Sequence, residues 1–523
     1  NELINFLCVF LVFQYWLSKE RVERFSNCRF QRPVIPFLTR KEEYPPCYKE
    51  VVHSQLEVSA LDARFRHEDD FVPGSLIFKR EFWEKEILKD HPNKAFLMGC
   101  INGVKIETLM NDFTETTFKG KKISGKRPPR INLPNYVPQE FESFVDKTIR
   151  QYHGIRMMVK WLDVKGPDDD DVPHLVMPLG VEPGKPRLIY DARFLNLFLK
   201  YFKFVLDSVG KIPQWAWKKM FMFSVDHKSG YLHVPIHKDS WKYLGVFWKG
   251  EYYVYTCLPF GTSFSPYIYH SLTEAVAMYV RGLGIPLSAY IDDTLGGSEI
   301  AHRDASEAQQ FQSANRSAFV LSMVFFHCGY FIGLSKCELF PRWVMKYLGV
   351  LCDTANLKFW VPSDKVEKLL SMISQVLAGS HVDFRTLESM VGKCSFLRIA
   401  VPMAPLFTRV QYAVLAQHDR LHKKDEVGLI EISPQLREEL EVWPQLLMHL
   451  ADLFPQKLQG ALVVCRVDSM ALLDVYNRGG SSKNLELTDI CKQLFWLQQK
   501  FQFSLQLQYV PTDENKADKY TRE

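Results

Sequence analysis

Leu287–Ser298, LSAYIDDTLGGS, sets two adjacent carboxylates, Asp292 and Asp293, between a short apolar run and a Gly-Gly pair. Leu287, Ala289 and Ile291 before the pair and Thr294-Leu295 after it predict a tight β-hairpin with the acids at the bend. An Asp-Asp turn taken alone is ordinarily a solvated turn. A third carboxylate upstream changes that reading. Phe221–Tyr231, FMFSVDHKSGY, is an apolar strand ending in Asp226. If that strand lies beside the hairpin, Asp226 and Asp292 can grip two divalent cations. Two such ions about 4 Å apart activate a hydroxyl nucleophile and stabilise a leaving pyrophosphate.

Several elements must hold this trio. Leu175–Asn196, LVMPLGVEPGKPRLIYDARFLN, reads as two strands joined by a Pro/Gly turn. Residues 255–280 read as a strand, a turn marked by Gly261, Ser263 and Pro266, and a long helix with Leu272, Val276 and Tyr279 on its core face. A helix of about thirty residues is expected before Gly333. Glu140–Arg150 predicts a short amphipathic helix. Val366, Leu369, Leu370, Ile373, Val376 and Leu377 recur at helical spacing, and Asp383 starts a second helix with Leu387, Met390 and Val391 inward and Gly392 allowing close packing.

The 523-residue length suggests roughly three or four domains. Hydrophobic content of 47% and charged content of 24% are those of a globular protein, and a net charge of +5 is mildly basic. That charge permits a local basic channel for nucleic acid. The eleven cysteines are scattered with no CxxC pair, which argues against zinc and against a disulfide framework. A reducing compartment, cytoplasmic or nuclear, is the expectation. Leu3–Leu17 is apolar but shorter than a membrane span and broken by Asn5 and Gln14. It is read as a buried or partner-facing helix, so residues 1–30 are a candidate protein-binding segment. FKGKKISGKRPPR at 118–130 is a basic Gly/Pro-rich stretch, either a solvated loop or a nucleic-acid contact. GPDDDDVP at 166–173 lacks the spacing of a metal site.

FSVDHKSGYLHVPI, KYLGVFW, YTCLPFGTSFSPYIYHSL, YIDD and IGLSKCELFPRWVMKYLGV follow one another from Phe223 to Val350. This ordered set resembles reverse transcriptases, and AVPMAPLFTR at 400–409 resembles the DIRS-type (tyrosine-recombinase) retrotransposon family in particular. The resemblance runs from about Pro138 to the C-terminus. It implies an α+β right-hand polymerase fold: a 1–135 extension with no assignment, fingers over 136–206, palm over 207–351, thumb and connection over 352–452, and a partial RNase H-like α/β domain over 453–523. It also implies an RNA-directed DNA polymerase with Asp226, Asp292 and Asp293 as catalytic and metal-binding carboxylates. Magnesium is the expected ion, with manganese the alternative. Arg187 matches the arginine laid on the incoming triphosphate. Relatives carry a lysine about where Gly180 falls here, and Lys185 is the nearest substitute. Asp191, Arg193 and Asn196 match a D-x-R-x-x-N pattern that orders this region.

Tyr231 stands at the position whose ring excludes a 2′-hydroxyl; ordinary core packing is its other role. Phe260 and Gly261 support the nascent pair. Lys336 matches a lysine near the leaving pyrophosphate, or is a surface lysine. Tyr347-Leu348-Gly349 resembles the hairpin that holds the primer end. The implied partners are RNA template, DNA or RNA primer, dNTPs and RNA–DNA hybrid. Asp468 and Asp518 match two of the four RNase H carboxylates. The stretch for the other two is missing between Leu450 and Gly460, so hydrolysis of the RNA strand is not expected of the chain as written. A non-catalytic, domesticated scaffold of the same fold is the competing function. It would have no use for three carboxylates, Tyr231 and Arg187 kept together.

Overall fold

The computed structural model describes residues 71–510 except 183, 185, 402–403, 422–427, 453–461, 468, 482–483 and 502–503. Leu3–Leu17 and the 1–30 segment, Lys185, Asp468 and Asp518 therefore lie outside the described residues. Of those described, 71–348 with 354–356 form one compact unit, and 349–353 with 357 onward form a second.

The first unit is built around a four-stranded antiparallel sheet. In chain order the elements that matter are the hairpin β1 (Thr114–Phe118) and β2 (Lys121–Gly125), the hairpin β3 (Leu179–Glu182) and β4 (Arg187–Tyr190), and strand β5 (Met222–Asp226). Helix α1 (Phe264–Gly282), strands β6 (Leu287–Tyr290) and β7 (Asp293–Gly297), helix α2 (Glu307–Cys328) and strand β8 (Glu338–Arg342) follow. The sheet order is β6-β7-β5-β8. β5 is buried on both faces along most of its length, as a central strand flanked on either side should be. α1 and α2 pack on this sheet. Ile268, Leu272, Val276 and Val280 of α1, spaced four apart, are wholly buried, whereas Tyr279 is partly exposed. Pro266 sits in the first turn of α1, where its missing N–H costs nothing.

α2 has 22 residues, shorter than the expected thirty. A capping box, Ser306 with Gln309, starts it, and Gly329 at φ 91° ends it. The predicted 140–150 helix runs over Glu142–Gly154 and buries Val145 and Ile149. The same unit holds a five-stranded sheet (Ile131–Asn132, Leu175–Val176, Gly245–Trp248, Glu251–Tyr255, Met158–Lys160).

Residues 71–135 are part of this core. Leu76 and Trp83 are fully buried; the Trp83 indole donates to Cys328 O (2.8 Å) and the Ser75 hydroxyl to Gly329 O (2.6 Å), tying the segment to the end of α2.

In the second unit, α3 (Ser363–Leu377) buries Leu369, Ile373 and Val376. α4 (Phe384–Phe396) buries Leu387, Met390 and Val391 and is capped by Asp383, which accepts from Arg385 N and Thr386 N. Gly392 does not serve close packing: it is exposed, and a Cβ there would meet nothing within 4 Å. Helical periodicity located the apolar face of α4, and Gly392 falls off that face. Further on, β9 (Leu462–Val467) and β10 (Ser504–Tyr509) pair in parallel, joined through helices α5 (Met470–Asn477) and α6 (Leu485–Phe501). A parallel pair needs such a helical crossover.

Candidate active site

β6 and β7 form the expected hairpin, with Tyr290 opposite Asp293 and a two-residue loop, Ile291-Asp292. Ile291 has φ 55°. That is a costly conformation for a β-branched residue and persists only where neighbours enforce it. The enforcement is visible. His227 N–H donates to Asp292 O (3.0 Å), and the buried Tyr347 hydroxyl donates to Ser288 O (3.2 Å). On the outer edge of the hairpin, Trp215 Nε1 donates to Ser288 Oγ (2.9 Å) and the buried Asp207 carboxylate accepts from Ala289 N (3.1 Å). Asp207 also holds Lys211 (2.5 Å) and Arg281 (2.7 Å), and these cations keep its carboxyl below the usual range against the opposing effect of burial.

β7 lies antiparallel beside β5, and Asp293 pairs directly with Asp226. Opposed residues of an antiparallel pair project from the same face, so the two carboxylates share one end of the sheet. Asp226 is 9% exposed, and its Oδ1 is buried without a hydrogen-bond partner. Lys336 Nζ stands 3.4 Å from that oxygen at ion-pair distance. Gly333 leaves the room: a Cβ there would sit 2.9 Å from Asp226 Oδ1. Burial raises the Asp292 carboxyl, with the Asp226 charge adding to it. Burial, the Asp292 and Asp226 charges and a hydrogen bond to Asp226 push Asp293 up to about 6. A cleft of about 90 Å³ opens here, lined by Asp226, Asp293, Lys336, Lys346, Tyr347 and Leu348.

The cluster fits a divalent cation. It gathers more negative charge than Lys336 balances, and the buried Asp226 Oδ1 accepts no hydrogen bond and faces only that ammonium. Among the described residues no group of three His, Cys, Asp or Glu forms a closed metal cage. A phosphate-bound magnesium needs only one or two carboxylates besides substrate oxygens and water.

Tyr231 lies across from the acids, its hydroxyl pushed up to about 12 by burial and by nearby Asp292 and Tyr290. Its ring meets Phe260 (centroids 4.9 Å) and Tyr269 (5.5 Å). Phe260 is 55% exposed, so it is an open surface beside Tyr231. Gly261 has φ 103°, and a Cβ there would fall 2.3 Å from Tyr190 O, which binds this turn closely to the β3–β4 hairpin. Asn196 clamps the same turn, donating to Gly261 O (3.0 Å) and accepting from Ser263 N (2.9 Å). Arg193 chelates both oxygens of Asp191 at 2.6–3.0 Å. Arg187 is exposed at the start of β4, opposite Glu182. The place relatives give to lysine is closed here: Gly180 is buried, and a Cβ would meet the Tyr136 ring at 2.2 Å.

Residues 182–352 match the family model described as Reverse transcriptase (RNA-dependent DNA polymerase). The chain carries a reverse transcriptase domain. Protein P of Duck hepatitis B virus (strain China) is 21% identical over 220 residues, 40% of this chain and 26% of that protein. A putative enzymatic polyprotein of Cassava vein mosaic virus is 29% identical over 219 residues, 42% of this chain and 30% of its own length. The chain thus spans less than a third of these curated relatives. Among solved structures, a foamy viral protease-reverse transcriptase in complex with double-stranded DNA aligns over 75% of this chain and 63% of that one, with 18% identity and a TM-score of 0.48.

Asp226, Asp293, Lys336, Tyr347 and Leu348 line one cleft; Asp292 lies in the hairpin loop next to Asp293, near Tyr231, whose ring meets Phe260. Gly349 falls in the second unit. Sequence reading missed Asp207, Gly333 and the His227–Tyr269 hydrogen bond (2.6 Å) at the end of β5. Only the Gly333 turn, two residues before Ser335-Lys336, carried a local signal.

Proposed function

We propose that this protein extends the 3′-hydroxyl of a primer with deoxynucleotides on an RNA template, as the polymerase of a DIRS-type retroelement. The convergence of Asp226, Asp292 and Asp293 at one end of a sheet, with more carboxylate charge than Lys336 alone balances, carries the reading. Asp226 and Asp292 hold magnesium, and Asp293 supports them. When bound, the ions activate the primer hydroxyl and stabilise the departing pyrophosphate. Lys336 places positive charge where that pyrophosphate leaves and can deliver a proton to it. Arg187, with Lys185, takes the triphosphate; a guanidinium suits bidentate phosphate contact. Tyr231 bars a 2′-hydroxyl, Phe260-Gly261 back the nascent pair, and Tyr347-Leu348-Gly349 hold the primer end. The strained Ile291 turn is held from Asp207, Trp215, His227 and Tyr347, so the carboxylates are placed before substrate arrives. That preorganisation is what a phosphoryl-transfer site requires. A labelled primer annealed to RNA, incubated with the protein, dNTPs and magnesium, should lengthen to the template end. An unextended primer under those conditions would overturn the reading.

A further inference from the structure

The β1–β2 hairpin is a strongly charged surface with no role so far. Its turn, Lys119-Gly120, has positive φ at both residues, and Gly120 faces open space. Lys119, Lys121, Lys122, Lys126 and Arg127 are exposed, and none makes an ion pair among the described residues. Asp112 and Glu115 are the neighbouring exposed acids; Arg130 is occupied by Asp170. Immediately before β1, Phe113 is 61% exposed.

The hairpin is anchored to the fingers side of the site. Phe118 packs edge-on against Phe194 at 5.0 Å. Asn111 N–H donates to Phe198 O (2.8 Å), and Lys200 N–H donates to Leu109 O (2.9 Å). The segment it grips, Arg193–Lys200, includes Asn196, which clamps the turn beside Tyr231.

We propose that this hairpin and Phe113 bind the unpaired template strand as it enters the site, a deduction that rests on the polymerase reading above. Exposed lysines outside ion pairs, of which only Lys119 feels a nearby acid, Asp191, suit a phosphate backbone. An open aromatic ring suits an unpaired base, because a paired base keeps its faces in the helix. Both features together favour a single strand over the product duplex.

The test uses the full chain and primer–templates that differ only in the length of the 5′ template overhang. Changing Lys119, Lys121 and Lys122 together to Gln should weaken binding of a long-overhang template on the order of tenfold. It should also reduce the slope of log affinity against log salt by about 2, since each single-strand phosphate contact contributes about 0.7. Binding of a one-nucleotide overhang should not change. Phe113→Ala should weaken long-overhang binding on the order of tenfold with the slope unchanged, because stacking releases no counterions. The same three lysines changed to Arg should bind as the native protein does, which separates charge from folding. An equal loss on long and short overhangs, or no loss on either, would overturn the proposal. Primer extension by the native protein is scored separately: its failure refutes the polymerase reading, while the overhang comparison still decides what the hairpin binds.

Discussion

Asp293→Asn should stabilise the metal-free protein at neutral pH while lowering the proposed primer extension. Asp293 faces Asp226 across the β5–β7 pair, next to Asp292, and its carboxyl is pushed from an ordinary 3.8 to about 6. The folded state therefore holds this proton more tightly than the unfolded chain does. Above pH 6 the charged form costs stability. Below about 4 both states are protonated and the cost is gone. The gap of about 2 units corresponds to about 3 kcal/mol if no water screened it. Asp293 is partly exposed, so screening leaves roughly 1–2 kcal/mol. Asparagine removes the charge and can still donate to Asp226. Urea unfolding in EDTA from pH 3.5 to 8, native against variant, isolates the effect as a difference. The variant's advantage should be full near pH 7.5, shrink as pH falls through 6, and vanish near 4. An advantage absent at pH 7.5, or growing on acidification, would refute the reasoning that like-charge crowding dominates this end of the sheet.

Tyr231→Val should admit ribonucleotides, lowering the dNTP-to-rNTP ratio of kcat/KM by about 10–100-fold; an unchanged ratio would leave Tyr231 a packing residue. Arg187→Ala should raise KM for dNTP about 30-fold, the loss of a charge-assisted contact worth about 2 kcal/mol, with template-primer Kd held; equal losses would point to a collapsed hairpin. Asp207→Asn should cost about 1–3 kcal/mol in an unfolding assay, because it removes the buried charge that Lys211 and Arg281 share, although Arg281 keeps Glu274; no measurable cost would show that Trp215 and Tyr347 suffice to hold β6.

The legible parts of the fold are those with local signals. The β6–β7 hairpin announced itself through alternation around Asp292-Asp293, and β5 through an apolar run ending in Asp226. The α1 and α3 faces followed from helical spacing. Contacts between distant residues had no such signal: Asp207 meets Ala289 across 82 residues and Trp83 meets Cys328 across 245. Residues 71–101 gave no periodicity because they form short pieces, Ser75–Lys79, Arg80–Phe82, Trp83–Ile87 and Lys94–Ile101, none long enough to show a repeat. The strain at Ile291 was equally hidden, since a β-branched residue is not one that turn rules place at positive φ.

Single-turnover primer extension by Asp292→Asn, with template-primer binding measured on the same samples, bears most directly on the central claim. Asp292 sits in the enforced loop beside Asp226, so losing its charge should abolish extension in magnesium. Binding should stay within about threefold, because backbone contacts spread over the nucleic acid carry the affinity. Extension at the native rate would contradict the account.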